Sequence, residues 1–340
     1  MSTATHAVEQ SGKSLGRAAV FGIGASVPEK VLTNFDLEKM VDTSDEWIRT
    51  RTGIRERRRA EPGTPTSDLA SAAAREALSR SGVAPEEIDL VILGTFSGDC
   101  PYPATACAVQ EKIGATNAAA FDVQAMCSGF VYSLAVGSQF IKTGAARTAL
   151  VIGAEVLSSV IDYEDRNTCI LFGDGAGAAV VRGGEGGHEV LNTWMGSDGS
   201  KYELLWAPAG GSRRPASEET ARNREHFLRM QGRKVFRVAV HKFSEGIRRA
   251  AESAGWGLDE IDLVVPHQVN TRIIDTIVER LEIPKDKVYQ NLDRYGNTSA
   301  ASIPLALYEA EAEGRLEPGS KVVLAAVGGG ITFGSAAIRW

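Results

Sequence analysis

The chain repeats itself, and the repeat restricts what it can fold into more than any single motif does. REALSRSGVAPEEIDLVILGT at 75–95 aligns with RRAAESAGWGLDEIDLVVPHQ at 248–268, a constant offset of 173 residues (248 − 75). TALVIGA, around Val151, recurs as KVVLAAVGG, around Leu324, at the same offset of 173 (324 − 151). A repeat that preserves element order as well as residues marks a duplicated unit. It predicts two related halves, 17–185 and 186–340, behind a polar tail over 1–16 expected to be disordered. Each half alternates strands and helices, a pattern that gives mostly parallel sheets layered with helices. Ligands of such sheets lie beyond the carboxyl ends of the strands, so a site between the halves is expected.

Within the first half, a strand is predicted over Ala18–Gly24 and helices around Asn34–Val41 and Ser44–Arg51. Ser67–Arg80 reads as a helix closed by Gly82, and Ile88–Thr95 as a buried, near-continuously apolar strand. A helix over Ala104–Ile113 precedes the central stretch FDVQAMCSGFVYSLAVGSQFI (121–141), with further strands at Arg147–Ala154 and Cys169–Val181. The central stretch begins as a strand, turns at Gln124–Met126 and places Cys127 where a helix begins, with apolar spacing at Phe130, Leu134 and Ile141. A free cysteine is commonly just a small buried hydrophobe. At a helix N-terminus, exposed N–H groups and the positive dipole end favour thiolate, which makes Cys127 a candidate nucleophile with a lowered pKa.

Lys and Arg number 37 against 43 Asp and Glu, a formal charge of −6 that argues against general nucleic-acid binding. Any anionic ligand must therefore meet a local basic patch. The four cysteines, 100, 107, 127 and 169, form no C-x-x-C pair and no metal spacing, so reduced thiols in a cytoplasmic protein are expected. No apolar run approaches the ~18 residues of a membrane span, and the first residues lack the apolar core of a signal peptide.

The duplication gives equivalent positions meaning. The strand ending at Val265 is followed by PHQVN (266–270) and a helix over Arg272–Leu281, so His267 alone among the five histidines sits at a strand end before a helix. A lone histidine is usually structural, but this position suits chemistry equally well. Asn297, in GNTSAASIP (296–304), is either a turn residue or a polar group at the same cleft. Six arginines fall between 49 and 59; Arg57–Arg59 are expected to be mostly a solvated run. GDGAG at 173–177 lacks the Lys-Ser/Thr of a phosphate loop and reads as packing glycine.

Taken together, Cys127 in AMCSGF, His267 in PHQVN and Asn297 in GNTSAASIP resemble the β-ketoacyl-acyl carrier protein synthase III family. The resemblance runs from about Gly16 to Trp340 and includes EWIRTRTGI (46–54), FGDGAGAAV (172–180) and GGGITFGSA (328–336). It implies an α/β, thiolase-like duplicated fold, two pseudo-symmetric βα halves in α-β-α-β-α layers. It also implies transfer of an acyl group from acyl-CoA to Cys127, then decarboxylative condensation with malonyl-acyl carrier protein to start fatty-acid synthesis. On that resemblance Cys127 is expected to serve as nucleophile, while His267 and Asn297 are expected to offer neutral N–H donors to the enolate oxygen. The N–H groups of Cys127 and Gly329 are expected to hold the tetrahedral oxyanion. Family matching assigns Trp47, Arg51 and Arg166 to the CoA nucleotide, and Phe236 and Asn270 to the pantetheine tunnel. Arg237 and Arg272 match the surface on which an acidic carrier protein docks. The resemblance implies no metal and no cofactor, acyl-CoA being a substrate, and a homodimer working without membrane or nucleic acid.

Two positions depart from the family pattern. Val327 stands where an aromatic residue near the malonyl group is common, and Tyr102 where a phenylalanine of the partner subunit closes the acyl pocket. A thiolase would need a second catalytic cysteine late in the chain, and none follows Cys169. A starter synthase or acyltransferase of a natural-product pathway with the same triad is the alternative enzyme. A non-catalytic partner subunit is argued against by retention of all three residues.

Overall fold

A computed structural model describes residues 16–340; the tail expected to be disordered over 1–16 lies, but for Gly16, outside the described residues. The first half contributes five strands to the main sheet: Ala19–Ser26, Leu90–Gly94, Ala119–Val123, Thr148–Glu155 and Gly175–Arg182. Leu90–Gly94 pairs in parallel with both Ala119–Val123 and Thr148–Glu155, and the latter runs antiparallel to Gly175–Arg182, which runs antiparallel to Ala19–Ser26. The second half repeats the order. Leu263–Pro266 is parallel to Lys321–Gly328, which is antiparallel to Thr332–Arg339, which in turn is antiparallel to His188–Ser197. The counterpart of Ala119–Val123 is reduced to a single bridge, Val264 to Val288. The two sets join at only two pairs, Ala19 with Glu189 and Val20 with His188, to make one sheet of nine strands. The sheet is mixed, not mostly parallel as expected, because the last and first strands of each half return antiparallel.

Alternation along the strands shows the layers, since successive side chains leave a strand on opposite faces. Ile92, Val151, Val265 and Leu324 join one core with Phe130, Leu134, Ile303 and Leu307. Val91, Leu93, Leu150 and Ile152 face the other way, onto Ala73, Ala77 and Val109. Val264, Val323 and Ala325 pack on Phe243, Ile247 and Ile274. The helices Gly129–Lys142 and Ser302–Ala312 therefore lie between the sheet halves, touching strands of both. Thr66–Ser81 and Thr105–Ile113 cover one outer face, Gly232–Ser253 and Thr271–Leu281 the other.

Two local expectations change. The strand predicted over Cys169–Val181 begins only at Gly175. The residues before it turn, so that buried Asp174 accepts from Ala60 N at 2.7 Å and Ser158 N at 2.8 Å. Gly177 packs as read, since a Cβ there would lie 2.6 Å from Pro304 Cβ. Arg57 is not solvated. It is fully buried, donates to Leu32 O, Asn34 Oδ1 and Ile170 O at 3.2, 2.9 and 2.6 Å, and is pulled down to about 10 by desolvation. Arg58 and Arg59 are half-buried and lie over the rings of Tyr295 and Tyr163.

Candidate active site

The turn that carries Cys127 is built from strain and close approach. Ala119–Val123 ends at the sheet edge, Met126 takes a left-handed φ of 49°, and the short helical turn Met126–Ser128 leads into the helix Gly129–Lys142. A non-glycine residue at positive φ persists only where its surroundings hold it. Here the second half holds it: Thr332 Oγ1 donates to Ala125 O at 2.7 Å, and Ser128 Oγ donates to Thr332 O at 3.3 Å. The glycine loop lies against the same turn. A Cβ on Gly328 would fall 2.8 Å from Cys127 N, and one on Gly329 2.7 Å from Leu205 O, so only glycine permits this approach.

Cys127, His267 and Asn297, remote in sequence, line one cavity of about 230 Å³. Cys127 is 5% exposed, and burial pushes its thiol up to about 12, with Ser299 pulling the other way. The lowered pKa expected from the helix start is therefore not found: desolvation outweighs the helix start and favours the thiol over the thiolate. His267 is fully buried and desolvation pushes it down to about 3, so the ring is neutral at physiological pH. Its Nδ1 lies 2.6 Å from Ser302 Oγ, while Nε2 is buried without a partner among the described residues. Asn297 is clamped by the segment that includes FGDG: its N–H donates to Leu171 O at 2.8 Å, and its C=O accepts from Gly173 N at 3.0 Å. Its Oδ1 accepts from Ser299 N at 2.8 Å, which leaves the side-chain NH₂ as the group it can offer. Gln268 braces both loops, donating to Pro266 O and Tyr289 O and accepting from Asn291 N.

The remaining assigned residues fall in three places. Phe236, Asn270 and Val327 line the Cys127 cavity, whose other walls are chiefly apolar. Asn270 caps the helix Thr271–Leu281 and donates to Arg51 O at 3.2 Å, joining the cavity to the helix Asp45–Thr52 that carries Trp47. Around Trp47, the guanidinium carbons of Arg166 and Arg51 lie 4.6 and 5.7 Å from the ring centroid. Arg237 and Arg272 are exposed near the cavity's helices. Tyr102 is 85% exposed and does not line the Cys127 cavity of its own chain. Beyond the cysteine turn a second cavity, about 320 Å³, is lined by Phe96, Met126, Leu205, Trp206, Leu228 and Gly329 among others.

Glu155 escaped the sequence reading. It ends the strand Thr148–Glu155 fully buried, and one carboxylate oxygen accepts from Thr95 Oγ1, Phe96 N and Ser97 N. Desolvation pushes it up to about 7. The duplication held a signal for it, since an offset of 173 pairs Glu155 with Gly328 beside Cys127 (328 − 155). Among the described residues no group of three or more His, Cys, Asp or Glu side chains has the arrangement of a metal site. No helix among the described residues is long and apolar enough to cross a membrane.

A duplicated layered fold with a buried cysteine, histidine and asparagine at the meeting of its halves defines a thiolase-like condensing enzyme. The relatives say which one. The family described as 3-oxoacyl-[acyl-carrier-protein] synthase III matches residues 121–199, and its C-terminal part residues 251–340. A β-ketoacyl-[acyl-carrier-protein] synthase III of Caldanaerobacter subterraneus subsp. tengcongensis is 51% identical over 323 residues, 95% of this chain and 98% of that protein. The crystal structure of 3-oxoacyl-[acyl-carrier-protein] synthase III from Aquifex aeolicus superposes with a TM-score of 0.88 at 48% identity, covering 95% of this chain and all of that one. The priming β-ketosynthase of the R1128 polyketide pathway also gives 0.88, at 34% identity, over 96% of this chain and 97% of its own. The chain belongs to the β-ketoacyl-[acyl-carrier-protein] synthase III family and is a condensing acyltransferase that initiates fatty-acid synthesis. The natural-product alternative is not favoured.

Proposed function

We propose that Cys127, His267 and Asn297 carry two half-reactions in the cavity they share, and that this shared cavity is the observation on which the reading rests. In the first, Cys127 Sγ attacks the thioester carbonyl of acyl-CoA. The carbon–sulfur bond to CoA breaks, the thiol proton leaves with CoA, and one thioester replaces another at little change in free energy. The N–H groups of Cys127 and Gly329 face the tetrahedral oxyanion. In the second, malonyl-acyl carrier protein loses carbon dioxide, and the released electron pair moves onto the thioester oxygen as an enolate. Neutral donors suit that oxygen, and His267 Nε2, without a partner among the described residues, and the Asn297 amide supply them. The enolate carbon then attacks the acyl-cysteine carbonyl, the carbon–sulfur bond breaks with its electron pair on Cys127 Sγ, and a proton taken up from solvent restores the thiol as β-ketoacyl-carrier leaves.

The substrates approach along the residues that family matching named. Trp47, Arg51 and Arg166 take the nucleotide by stacking and ion pairing, and Phe236 and Asn270 guide pantetheine. Arg237 and Arg272 receive the acidic carrier, and the larger cavity beyond Met126 takes the acyl chain. The working unit is a cytoplasmic homodimer using no cofactor, in which the exposed Tyr102 of one subunit caps the acyl chamber of the other. Each half of the duplication, 17–185 and 186–340, supplies part of the site: the nucleophile from the first, His267 and Asn297 from the second. The test is reconstitution with acyl-CoA and malonyl-carrier. β-Ketoacyl-carrier and carbon dioxide should form in equal amounts with wild type, whereas Cys127→Ala should form no β-ketoacyl-carrier even where it still decarboxylates malonyl-carrier; β-ketoacyl-carrier formation by that variant would defeat the reading.

A further inference from the structure

The His267 ring is buried and neutral, so it carries one N–H, and which nitrogen holds it decides what the cavity receives. Nε2 has no partner among the described residues, and His267 forms part of the wall shared with Cys127 and Asn297. Nδ1 faces only Ser302, whose Oγ is 2.6 Å away and whose side chain is itself buried. Ser302 has one other partner, the Gln268 N–H at 3.4 Å, which can only donate. The Ser302 hydroxyl hydrogen therefore has His267 Nδ1 as its single acceptor among the described residues. With the ring proton on Nδ1 instead, that hydroxyl hydrogen is left unsatisfied in a buried site, a costly arrangement. It would also aim a bare Nε2 lone pair at an anionic oxygen.

The repeat makes the pair conspicuous. At the offset of 173, His267 corresponds to Gly94 (267 − 94) and Ser302 to Gly129 (302 − 129). Gly94 and Gly129 are in contact as well, so close that a Cβ on Gly94 would lie 2.5 Å from Gly129 C. The same strand-end to helix-start junction is thus bare in the nucleophile half and filled by a hydrogen-bonded pair in the other.

We propose that Ser302 is a positioning residue of the condensation step: its hydroxyl donates to His267 Nδ1 and fixes the imidazole proton on Nε2, where it meets the malonyl-derived enolate. The inference rests on the reading of His267 as an enolate donor.

The test is nitrogen NMR of the full chain labelled in histidine, with His267 assigned by its loss in His267→Ala. Wild type should show the proton on Nε2 and an accepting Nδ1; a proton on Nδ1 overturns the proposal without any Ser302 variant. Ser302→Ala should shift the population toward Nδ1–H. In single-turnover experiments it should slow condensation of pre-acylated enzyme about three- to tenfold, the worth of one hydrogen bond, while acylation by acyl-CoA changes less than about twofold. Ser302→Thr, which keeps the hydroxyl, should restore both. An unchanged tautomer and condensation rate in folded Ser302→Ala overturns the proposal and leaves the enolate reading intact. Wild-type condensation by His267→Ala is the separate result that removes the enolate reading.

Discussion

Asn297 offers the cleanest separation of structural work from chemical work. Its Oδ1 accepts from Ser299 N at 2.8 Å in a site where Ser299 is fully buried, and its NH₂ is assigned to the enolate. Asn297→Ala removes both. The orphaned Ser299 N–H should cost about 1–3 kcal/mol of stability, and the lost donor about 10²–10³ in condensation rate. Asn297→Asp keeps an acceptor for Ser299 N–H but replaces the donor with an oxygen. Its stability should stay nearer wild type, while condensation falls at least as far, since an ionised carboxylate would oppose the enolate. Cysteine acylation should survive in both variants, because Asn297 has no assigned part in it. The assay pairs urea denaturation with rapid-quench single turnovers, first with acyl-CoA alone and then with malonyl-carrier added to pre-acylated protein. Near-normal condensation by Asn297→Asp would refute the donor role, and equal loss of both half-reactions would show that the loop had simply moved.

Other perturbations bear on different parts of the account. Arg272→Glu should weaken the carrier-dependent step, most at low salt, and leave acylation by CoA largely intact; steady-state rates at two ionic strengths check it. Tyr102→Ala, in a protein shown to be dimeric, should admit longer or branched acyl-CoAs, with up to ~0.8 kcal/mol gained per newly buried CH₂; an unchanged chain-length profile in kcat/KM would remove the cap. Glu155→Gln addresses pH. Burial raises Glu155 from 4.5 to about 7, so between those values the folded protein holds a proton that the unfolded chain has released. Wild type should therefore lose stability relative to Glu155→Gln as pH rises through that window, by roughly 1 kcal/mol per pH unit. His267, present in both proteins, cancels from the difference, which denaturation at several pH values measures.

How much of this was legible in the sequence depended on whether the signal was local or repeated. The offset of 173 identified corresponding strands, and Leu90–Gly94 and Leu263–Pro266 do occupy corresponding places in the sheet. The meeting of Cys127, His267 and Asn297 in one cavity was legible because Cys127 opens a helix, His267 follows a strand and Asn297 lies in a turn feeding a helix, each within a distinctive string. Directions of pairing were not. Nothing in Gly175–Arg182 or Thr332–Arg339 announces that it returns antiparallel, since an apolar strand buried on both faces reads alike either way. Arg57 was misread as solvated because its partners lie as far away as Ile170, 113 residues along the chain. The thiol pKa was misread for a related reason: the helix start was visible in the sequence, whereas the depth at which it is buried was not. Ser302 stood within the quoted GNTSAASIP, but only the fold shows that its hydroxyl meets His267.

The central claim is that one cysteine holds the acyl group between two substrates. Intact-protein and peptide mass spectrometry, after incubation with acyl-CoA and then with malonyl-carrier, tests it directly. A single acyl adduct should appear on the peptide containing Cys127, persist without malonyl-carrier, discharge as β-ketoacyl-carrier when it is added, and be absent from Cys127→Ala. An adduct on another residue, or one that survives in Cys127→Ala and still discharges to product, would contradict the account.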